Sequence, residues 1–572
     1  MLQQRRLALP EPTFAELFTP KLVTVLREGY GTRQLRADAL AGLTVAIVAL
    51  PLSMAIAIAS GATPERGLYT AIVGGFIVSL LGGSRFQIGG PAGAFIVLVA
   101  ATIDRHGIDG LALATLMAGV MLTAVGFLRL GTYIKYIPHP VIVGFTAGIA
   151  VIIFASQIRD LLGLSLATKE PAALLPKLQA LAVALPTLTP AAAAVAGLTI
   201  ALIVGLRRYA PALPNLLVAV VVATSAAAFL GLGVETIGSR FGGVPSSLPV
   251  PGLPPVTWAK AMDILPDAIA IALLGGVESL LSAMVADSMS GRRHRSNCEL
   301  VAQGVANVAS ALFGGIPVTG TIARTATNVR SGAIGPVAGM LHSAFLLGFM
   351  MLAAPLASYI PLAALAGVLA VVAWNMAERH EVVAIVRRRR GETVVLLATL
   401  LLTVIRDLTD GIVAGVVLGS FLFMHRMAGL VAVELGQPMP AGDRRDIVDP
   451  ARSAALSDEV RRDLVVVRLS GPLFFGAATR IAWVLERIGE YPATLILDLS
   501  AVPLVDADAA ASLHAFLARA RRRGAAAWVA GASPPVRAEL ENEGLFEPEI
   551  GFAPSVADAR MAARQLARHK HT

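Results

Sequence analysis

Long apolar segments separated by short, often basic turns occupy most of this chain. Fourteen such segments lie between about residues 38 and 431, most of them near the ~20 residues that a helix needs to cross a bilayer. Only 15% of the 572 residues are charged, against roughly 25% in soluble domains, so we predict a polytopic α-helical membrane protein. The segments are 38–59, 67–82, 89–103, 108–130, 139–160, 187–206, 212–232, 264–288, 298–313, 318–331, 335–357, 361–378, 391–408 and 410–430.

Basic residues between the segments indicate their orientation. If all fourteen segments cross the membrane, most of these basic residues fall on one side of it. That side is expected to be cytoplasmic, because basic loops remain in the cytoplasm. The first 37 residues are charged and lack an apolar core, so we expect a cytoplasmic arm and not a cleavable signal. We therefore predict a multi-pass protein of the cell (inner) membrane with both termini cytoplasmic. The basic groups are Arg129 with Lys135, Arg207 with Arg208, residues 292–295 and residues 387–390.

Two short motifs recur at nearly the same offset. Tyr136-Ile137-Pro138 returns as Tyr359-Ile360-Pro361, and Gly89-Gly90-Pro91 returns loosely as Gly314-Gly315-Ile316-Pro317. The copies begin seven segments apart. Because seven is an odd number of membrane crossings, the second copy would begin on the opposite side of the membrane and be inverted relative to the first. The sequence therefore predicts fourteen spans arranged as two inverted repeats of seven. Inverted repeats with interrupted helices in corresponding places indicate the binding site of a secondary transporter.

The third and tenth segments are too short to cross a bilayer alone. Each follows a stretch with Gly and Pro, residues 89–94 and 315–321, which suits an extended strand followed by the first turn of a half-helix. Facing half-helix N-termini offer unpaired N–H groups to an anion; the simpler interpretation is a kink in an ordinary helix. The predicted anion-binding residues here are Pro91, Ala92, Gly93, Ala94, Thr319, Gly320 and Thr321.

Two charged side chains lie within apolar segments, where charge is costly and indicates a function. Arg324, about one turn into the tenth segment, would supply a fixed positive charge to the anion site. Glu278 is predicted to carry the coupling proton, or to hold Na⁺ together with Ser282. The alternative role for each is a structural ion pair. By the repeat offset, Glu278 corresponds to Ser53, which follows Pro51, where we predict a break in the first span.

Beyond residue 431 the composition becomes that of a soluble domain. Residues 432–462, rich in Pro, Gly and charge, predict a linker. Short apolar runs that alternate with helical stretches predict an α/β domain over residues 463–572. The predicted strands are 464–467, 494–497 and 527–530, and the predicted helices lie near 476–489, 508–522, 534–543 and 555–568.

Several stretches resemble the SulP (sulfate permease) family of anion transporters. The C-terminal domain resembles a STAS domain, the usual cytoplasmic appendage of that family, and the first half is especially similar to cyanobacterial bicarbonate transporters. The matching stretches are Arg36-Ala37-Asp38, Ala41-Gly42-Leu43-Thr44-Val45, Gly67-Leu68-Tyr69, Gly83-Ser84-Arg85, Gln87-Ile88-Gly89-Gly90-Pro91 and Thr321-Ile322-Ala323-Arg324-Thr325.

The resemblance implies a core domain of spans 1–4 and 8–11 that moves against a gate domain of spans 5–7 and 12–14. It also implies an anion between the third and tenth half-helices, elevator-like alternating access and a homodimer. The domains would be the arm (1–37), the transmembrane transporter (38–431), the linker (432–462) and the cytoplasmic STAS domain (463–572).

This chain departs from the families it resembles at three positions. The bicarbonate transporters carry aspartate in place of Glu278, and glutamate there looks more like proton-coupled members; they also tend to have threonine in place of Ala92. Ala507 replaces the phosphorylatable serine of anti-sigma-factor antagonists, which excludes a phosphorylation switch at that position. We expect the STAS domain to dimerise or to bind a cytoplasmic regulator.

We therefore predict a secondary active transporter of small inorganic anions, of the sulfate or bicarbonate class, with H⁺ symport through Glu278. The alternatives are Na⁺-coupled bicarbonate symport, an uncoupled exchanger or channel, dicarboxylate uptake, a permease for uracil-like substrates, and a membrane-tethered signalling scaffold. We expect no enzyme activity, cofactor, metal site or nucleic-acid partner, because the membrane part shows neither a nucleophile–base set nor a metal-ligand cluster.

Overall fold

The computed structural model describes residues 13–132, 138–167, 170–171, 173–210, 213–388, 390–406, 408–429, 432–434, 464–474 and 493–569. Its contacts divide the chain into two compact units, Met1–Val417 and Leu418–Thr572, each described by itself. The first unit is helical. Its helices, the last of which runs across the division, are α1 (Phe14–Phe18), α2 (Lys21–Arg27), α3 (Thr32–Ala59), α4 (Pro64–Tyr69), α5 (Gly75–Leu81), α6 (Ile96–Phe127), α7 (His139–Leu162), α8 (Leu174–Ala184), α9 (Pro190–Tyr209), α10 (Asn215–Phe229), α11 (Ile237–Phe241), α12 (Trp258–Ser290), α13 (Ser296–Leu312), α14 (Ile322–Arg330), α15 (Val337–Ala357), α16 (Leu362–Met376), α17 (Arg379–Arg388), α18 (Arg390–Ile405) and α19 (Leu408–Gly429).

Eight helices within the described residues are long and apolar enough to cross a membrane. They are α3, α6 with the turn before it, α7, α9, α12, α15, α16 with its continuation into α17, and α19. Shorter helices occupy the remaining predicted segments, among them α10, α13, α14 and α18. The composition and length of these helices agree with an integral membrane protein, and the count of fourteen spans stays a prediction.

The first span differs from the prediction. α3 begins at Thr32, earlier than residue 38, and runs past Pro51 without interruption, so the predicted break there is wrong. Proline removes one helical N–H, but membrane helices accommodate it where neighbouring elements pack around the freed backbone. Asp38 lies fully buried in this helix, where the Tyr30 hydroxyl and the Gly335 amide donate to its carboxylate at 2.7 and 3.1 Å.

The predicted third and fourth segments both lie in α6, as two helical parts separated at Gly107, whose φ and ψ are non-helical. The φ of 69° at this residue lies in the left-handed region that glycine adopts without strain. Further along, α6 packs against α13 with almost no side chain between the two backbones. A Cβ on Gly119 would lie 2.6 Å from the carbonyl oxygen of Gly304, so both positions require glycine for this approach.

Two short strands lie inside the helical unit and join the predicted half-helices. β1 (Gly89–Gly90) and β2 (Thr319–Gly320) pair in antiparallel register, just before the turns that lead into α6 and α14. The approach to β2 is held by Asn307, whose amide nitrogen donates to the Val318 carbonyl at 2.8 Å and whose amide oxygen accepts from the Val318 N–H at 3.0 Å. Protein groups thus satisfy the non-helical backbone, as is required within a membrane.

The second unit is an α/β domain with one five-stranded sheet. The strand order is β3-β4-β5-β6-β7, with β3 antiparallel to β4 and the other neighbours parallel. The three predicted strands are confirmed as β4, β5 and β6, and the helices predicted near 508–522, 534–543 and 555–568 are confirmed; the helix predicted near 476–489 lies outside the described residues. The elements are β3 (Ala432–Glu434), β4 (Leu464–Ser470), β5 (Thr494–Ala501), α20 (Ala507–Arg522), β6 (Ala526–Ala530), α21 (Pro534–Asn542), β7 (Gly551–Ala553) and α22 (Val556–His569).

The prediction of a linker over residues 432–462 is wrong at its start. The first three residues of that range form β3 and belong to the sheet. An edge strand this short carries too few residues for alternation to be visible in the sequence. The domain core forms where β4, β5 and β6 pack against α20 and α21 around Phe516 and Leu513. At the start of α20, Asp506 caps the helix by accepting the Ala509 N–H, and Ala507 is the first helical residue.

Candidate anion site

Two helix starts lie side by side at the paired strands. A short 3₁₀ turn, Gly93–Phe95, leads into α6, and α14 begins directly after Thr321. Neither start is capped by a side chain of its N-cap residue, which is Ala92 in the first case and Thr321 in the second. The opening N–H groups of each helix have no acceptor within that helix, so both starts present amide donors to a common region.

Arg324 joins the two starts. It lies in the first turn of α14 with 2% of its surface exposed, and its Nη2 donates to the Pro91 carbonyl at 3.2 Å. Its Nε and Nη1 have no hydrogen-bond partner among the described residues. Gly90 makes room for this group, because a Cβ at that position would collide with Nη1. The arrangement therefore leaves a buried cation with free donors beside two uncapped helix starts.

Glu278 lies on α12, the helix that packs against β2 and α14. One of its carboxylate oxygens is buried without a hydrogen-bond partner among the described residues, while the residue as a whole is only partly buried. Its charge interacts with that of Arg324, but no ion pair within 4.0 Å joins them in the described structure. A direct structural ion pair between these residues, the alternative considered above, is absent here.

Ser279 on α12 anchors β2. Its hydroxyl lies 2.7 Å from the Thr319 hydroxyl and accepts the Gly320 N–H at 3.1 Å. The Thr319 hydroxyl in turn donates to the Gly275 carbonyl at 3.1 Å. Thr319 and Gly320 are both predicted to bind the anion. In this conformation the Thr319 hydroxyl and the Gly320 N–H are instead hydrogen-bonded to α12.

Thr321 and Ser282 are held in the same way. The N–H and the hydroxyl of Thr321 both donate to the Ile88 carbonyl, at 3.0 and 3.1 Å. The Ser282 hydroxyl donates to Thr325 at 3.0 Å, one turn along α14. Each of these residues fixes α14 against its neighbours, so at the two paired starts the donors without partners among the described residues are the opening amides and those of Arg324.

The first helix start is apolar and touches two other helices. Ala92 and Ala94 are each 4% exposed. A Cβ on Gly93 would lie 3.2 Å from Ile153 Cδ1 of α7 and 3.6 Å from Met376 Sδ of α16. The predicted site residues on this side therefore contribute backbone and small side chains, packed against α7 and α16.

Two further buried polar side chains lack hydrogen-bond partners among the described residues. Ser53, a predicted site residue, is fully buried on α3 with a free hydroxyl. His342 on α15 is fully buried, both of its ring nitrogens are unpartnered, and its charge would interact with that of Arg324. His342 was not among the predicted residues, although it is a single histidine in the apolar segment 335–357.

No group of three or more His, Cys, Asp or Glu side chains able to hold a metal ion occurs within the described parts of the chain. The paired helix starts bring together amide donors, one guanidinium and small apolar walls, which are groups suited to an anion.

The chain belongs to the sulfate permease family, whose members are transporters. Residues 35–399 match the sulfate permease family and residues 455–559 match the STAS domain. The protein is accordingly a transmembrane anion transporter with a C-terminal STAS domain, and not an enzyme, as the sequence analysis predicted.

Relatives and solved structures agree with this assignment. The chain is 41% identical to "Putative sulfate transporter YvdB" of Bacillus subtilis (strain 168), over 91% of this chain and 96% of that protein. It is 31% identical to the bicarbonate transporter BicA of Picosynechococcus sp. (strain ATCC 27264 / PCC 7002 / PR-6), over 90% and 92% of the two chains. The transmembrane domain of a cyanobacterial BicA superposes with a TM-score of 0.60 at 31% identity, over 68% of this chain and 98% of that one.

The murine anion transporter Slc26a9, solved in an inward-facing state, shares the fold. Its TM-score is 0.81 at 19% identity, over 98% of this chain and 97% of that one. Because the match includes the C-terminal part, it supports the polytopic fold with its appended STAS domain.

Proposed function

We propose that this protein is a secondary active transporter of a small inorganic anion, which binds between the starts of α6 and α14 beside Arg324. The observation that carries the proposal is the pairing of two uncapped helix starts with a buried guanidinium whose Nε and Nη1 lack protein partners. Amides and a cation together stabilise an oxyanion, and Arg offers several donors in a fixed plane.

Within this site the residues have different proposed roles. The amides near Ala92, Gly93 and Ala94, and those that open α14, bind the anion. Pro91 orients Arg324 through its carbonyl, while Thr319, Gly320 and Thr321 hold the second start in place. Ser53 adds a buried hydroxyl to the proposed set of binding groups.

Glu278 is the proposed coupling residue, with H⁺ as the coupling ion. A partly buried carboxylate with an unpartnered oxygen, close to a cation but not bonded to it, changes its interaction with Arg324 when it binds a proton. Proton binding at Glu278 would thus alter the charge next to the anion, which is the energetic link that symport requires.

Na⁺-coupled bicarbonate symport is the second candidate. It is supported by the resemblance to BicA, a bicarbonate transporter, and by the Ser282 oxygen one helical turn from Glu278. Na⁺ would require several oxygen ligands around Glu278, and glutamate in place of aspartate changes their spacing. Uncoupled exchange and dicarboxylate uptake remain further outcomes of the transport assay below.

The transport cycle is proposed to follow from the inverted-repeat plan. Fourteen spans form a core (spans 1–4 and 8–11) and a gate (5–7 and 12–14), and the core carries the anion past the gate in an elevator-like movement. The contacts of Gly93 with α7 and α16 lie where the proposed core meets the proposed gate. We further propose a homodimer in the inner membrane with both termini cytoplasmic and the STAS domain open to a cytoplasmic regulator.

The test is uptake by the full-length protein in proteoliposomes. Labelled sulfate, bicarbonate, chloride and a small dicarboxylate are supplied in turn, with H⁺ and Na⁺ gradients imposed separately. We expect accumulation of sulfate or bicarbonate when only an inward H⁺ gradient is present. Accumulation that needs Na⁺ would establish the second candidate, and movement only down the anion's own gradient would contradict both symport proposals.

A further inference from the structure

A groove with a volume of about 610 Å³ lies away from the anion site, between α7, α9 and α16. On α9 it is lined by Ile200, Ile203, Val204 and Arg207, which share one face of the helix. The spacing from Ile200 to Arg207 corresponds to about 10 Å along the helix axis. The part of the groove near Ile200 and Ile203 is thus apolar, and its polar side chains lie where α9 and α16 end.

Two arginines define the polar end of the groove. Arg207 Nη1 donates to the Asn375 side-chain oxygen at 3.1 Å, which joins α9 to α16 at this point. The Arg379 guanidinium lies 3.9 Å from the centroid of the Trp374 ring. Stacking fixes the plane of a guanidinium and leaves its in-plane N–H groups available to an anion. Glu378 lies at the same end, so two arginines against one glutamate leave the end positive.

We propose that this groove binds an anionic phospholipid, with the phosphate at Arg207 and Arg379 and one acyl chain along the apolar part. An apolar cleft closed at one end by cations is complementary to a lipid with a charged head group, and basic pockets between membrane helices bind such head groups. A second copy of this protein is a poorer match for the groove, because an apolar protein surface would also have to cover the cationic end.

The bound lipid would lie directly behind the helices that touch the anion site. Phe154 lines the groove while its neighbour Ile153 faces Gly93, and Asn375 lines the groove while its neighbour Met376 faces Gly93. Lipid binding therefore supports α7 and α16 from the side opposite the anion. This consequence for transport rests on the proposed function, whereas lipid binding itself does not.

The experiment is native mass spectrometry of the full-length protein with added phosphatidylglycerol or phosphatidylcholine. We expect the wild type to retain phosphatidylglycerol preferentially, and Arg207→Ala with Arg379→Ala to weaken its binding roughly thirtyfold, because each of the two basic groups contributes about 1 kcal/mol. The matched control is Arg208→Ala with Arg387→Ala, which removes two exposed arginines that do not line the groove and should leave the preference unchanged.

Val204→Trp tests the apolar part independently, since it fills the groove and keeps both arginines. It should lower retention of phosphatidylglycerol even if the double variant proves unstable. Equal retention of the two lipids by the wild type, or an equal loss in the control pair, would overturn the proposal. Transport in liposomes with and without phosphatidylglycerol is a separate measurement. A protein that retains the lipid but transports no anion would refute only the proposed function.

Discussion

The two helix starts at the candidate anion site have similar backbones and different side chains. The start of α6 is built from Ala92, Gly93 and Ala94, which offer amides and no side-chain donor. The start of α14 carries Arg324 and is fastened to α12 through Ser279 and Ser282. One start thus supplies only backbone donors, whereas the other supplies a charged side chain and is anchored to α12. If the proposed inverted repeat holds, its two halves retain a strand-turn-helix backbone while their side chains differ.

The largest effect is expected from Glu278→Gln, which removes the titratable group next to the charged start. Concentrative uptake driven by an H⁺ gradient should be abolished, because the amide cannot bind a proton, while anion exchange at equal pH should persist. The measurement is uptake in proteoliposomes under both conditions. Undiminished pH-driven accumulation would show that the coupling group lies elsewhere.

The second largest effect is expected from Arg324→Ala, because it leaves the start of α14 without a charged side chain, like the start of α6. Hydrogen bonds to charged groups are worth about 1.5–3 kcal/mol, so anion affinity should fall roughly 10- to 100-fold. Arg324→Lys keeps the charge without the planar set of donors and should recover part of the loss. KM and anion selectivity are the quantities to measure, and values equal to wild type would exclude contact between Arg324 and the substrate.

Gly90→Ala and Gly93→Ala form a matched pair on the first start. A Cβ at position 90 would collide with Arg324 Nη1, so we expect about a tenfold loss of transport as the guanidinium moves. At position 93 the new Cβ meets only the ends of Ile153 and Met376, at 3.2 and 3.6 Å, and the effect should be small. The reverse order of effects would contradict the assigned position of Arg324.

Ser282→Ala should have a smaller effect than Gly90→Ala, and it distinguishes the two candidate coupling ions. Loss of its bond to Thr325 costs about 1 kcal/mol, which corresponds to a change of roughly fivefold in transport. With H⁺ coupling, the dependence on each ion gradient should remain as in the wild type. A specific rise in the Na⁺ concentration needed for uptake would instead favour the second candidate.

The sequence predicted what depends on local patterns. Glycine and proline before two short segments predicted the helix starts, and the strands of the STAS domain were visible as short apolar runs. The polar network was not predictable, because Arg324 and Pro91 are 233 positions apart and a span pattern carries no information about which distant residues meet. Pro51 suggested a break that packing around α3 overrides. His342 was missed because an isolated histidine in an apolar run carries no motif.

The antiparallel ladder between β1 and β2 has a mechanical consequence. Since the pairing of β1 with β2 joins the two helix starts directly, we expect them to move as one block and to stay together when the solute is released. In the proposed elevator movement the distance between β1 and β2 should therefore stay constant, whereas a covalent tether from this block to α7 should stop turnover.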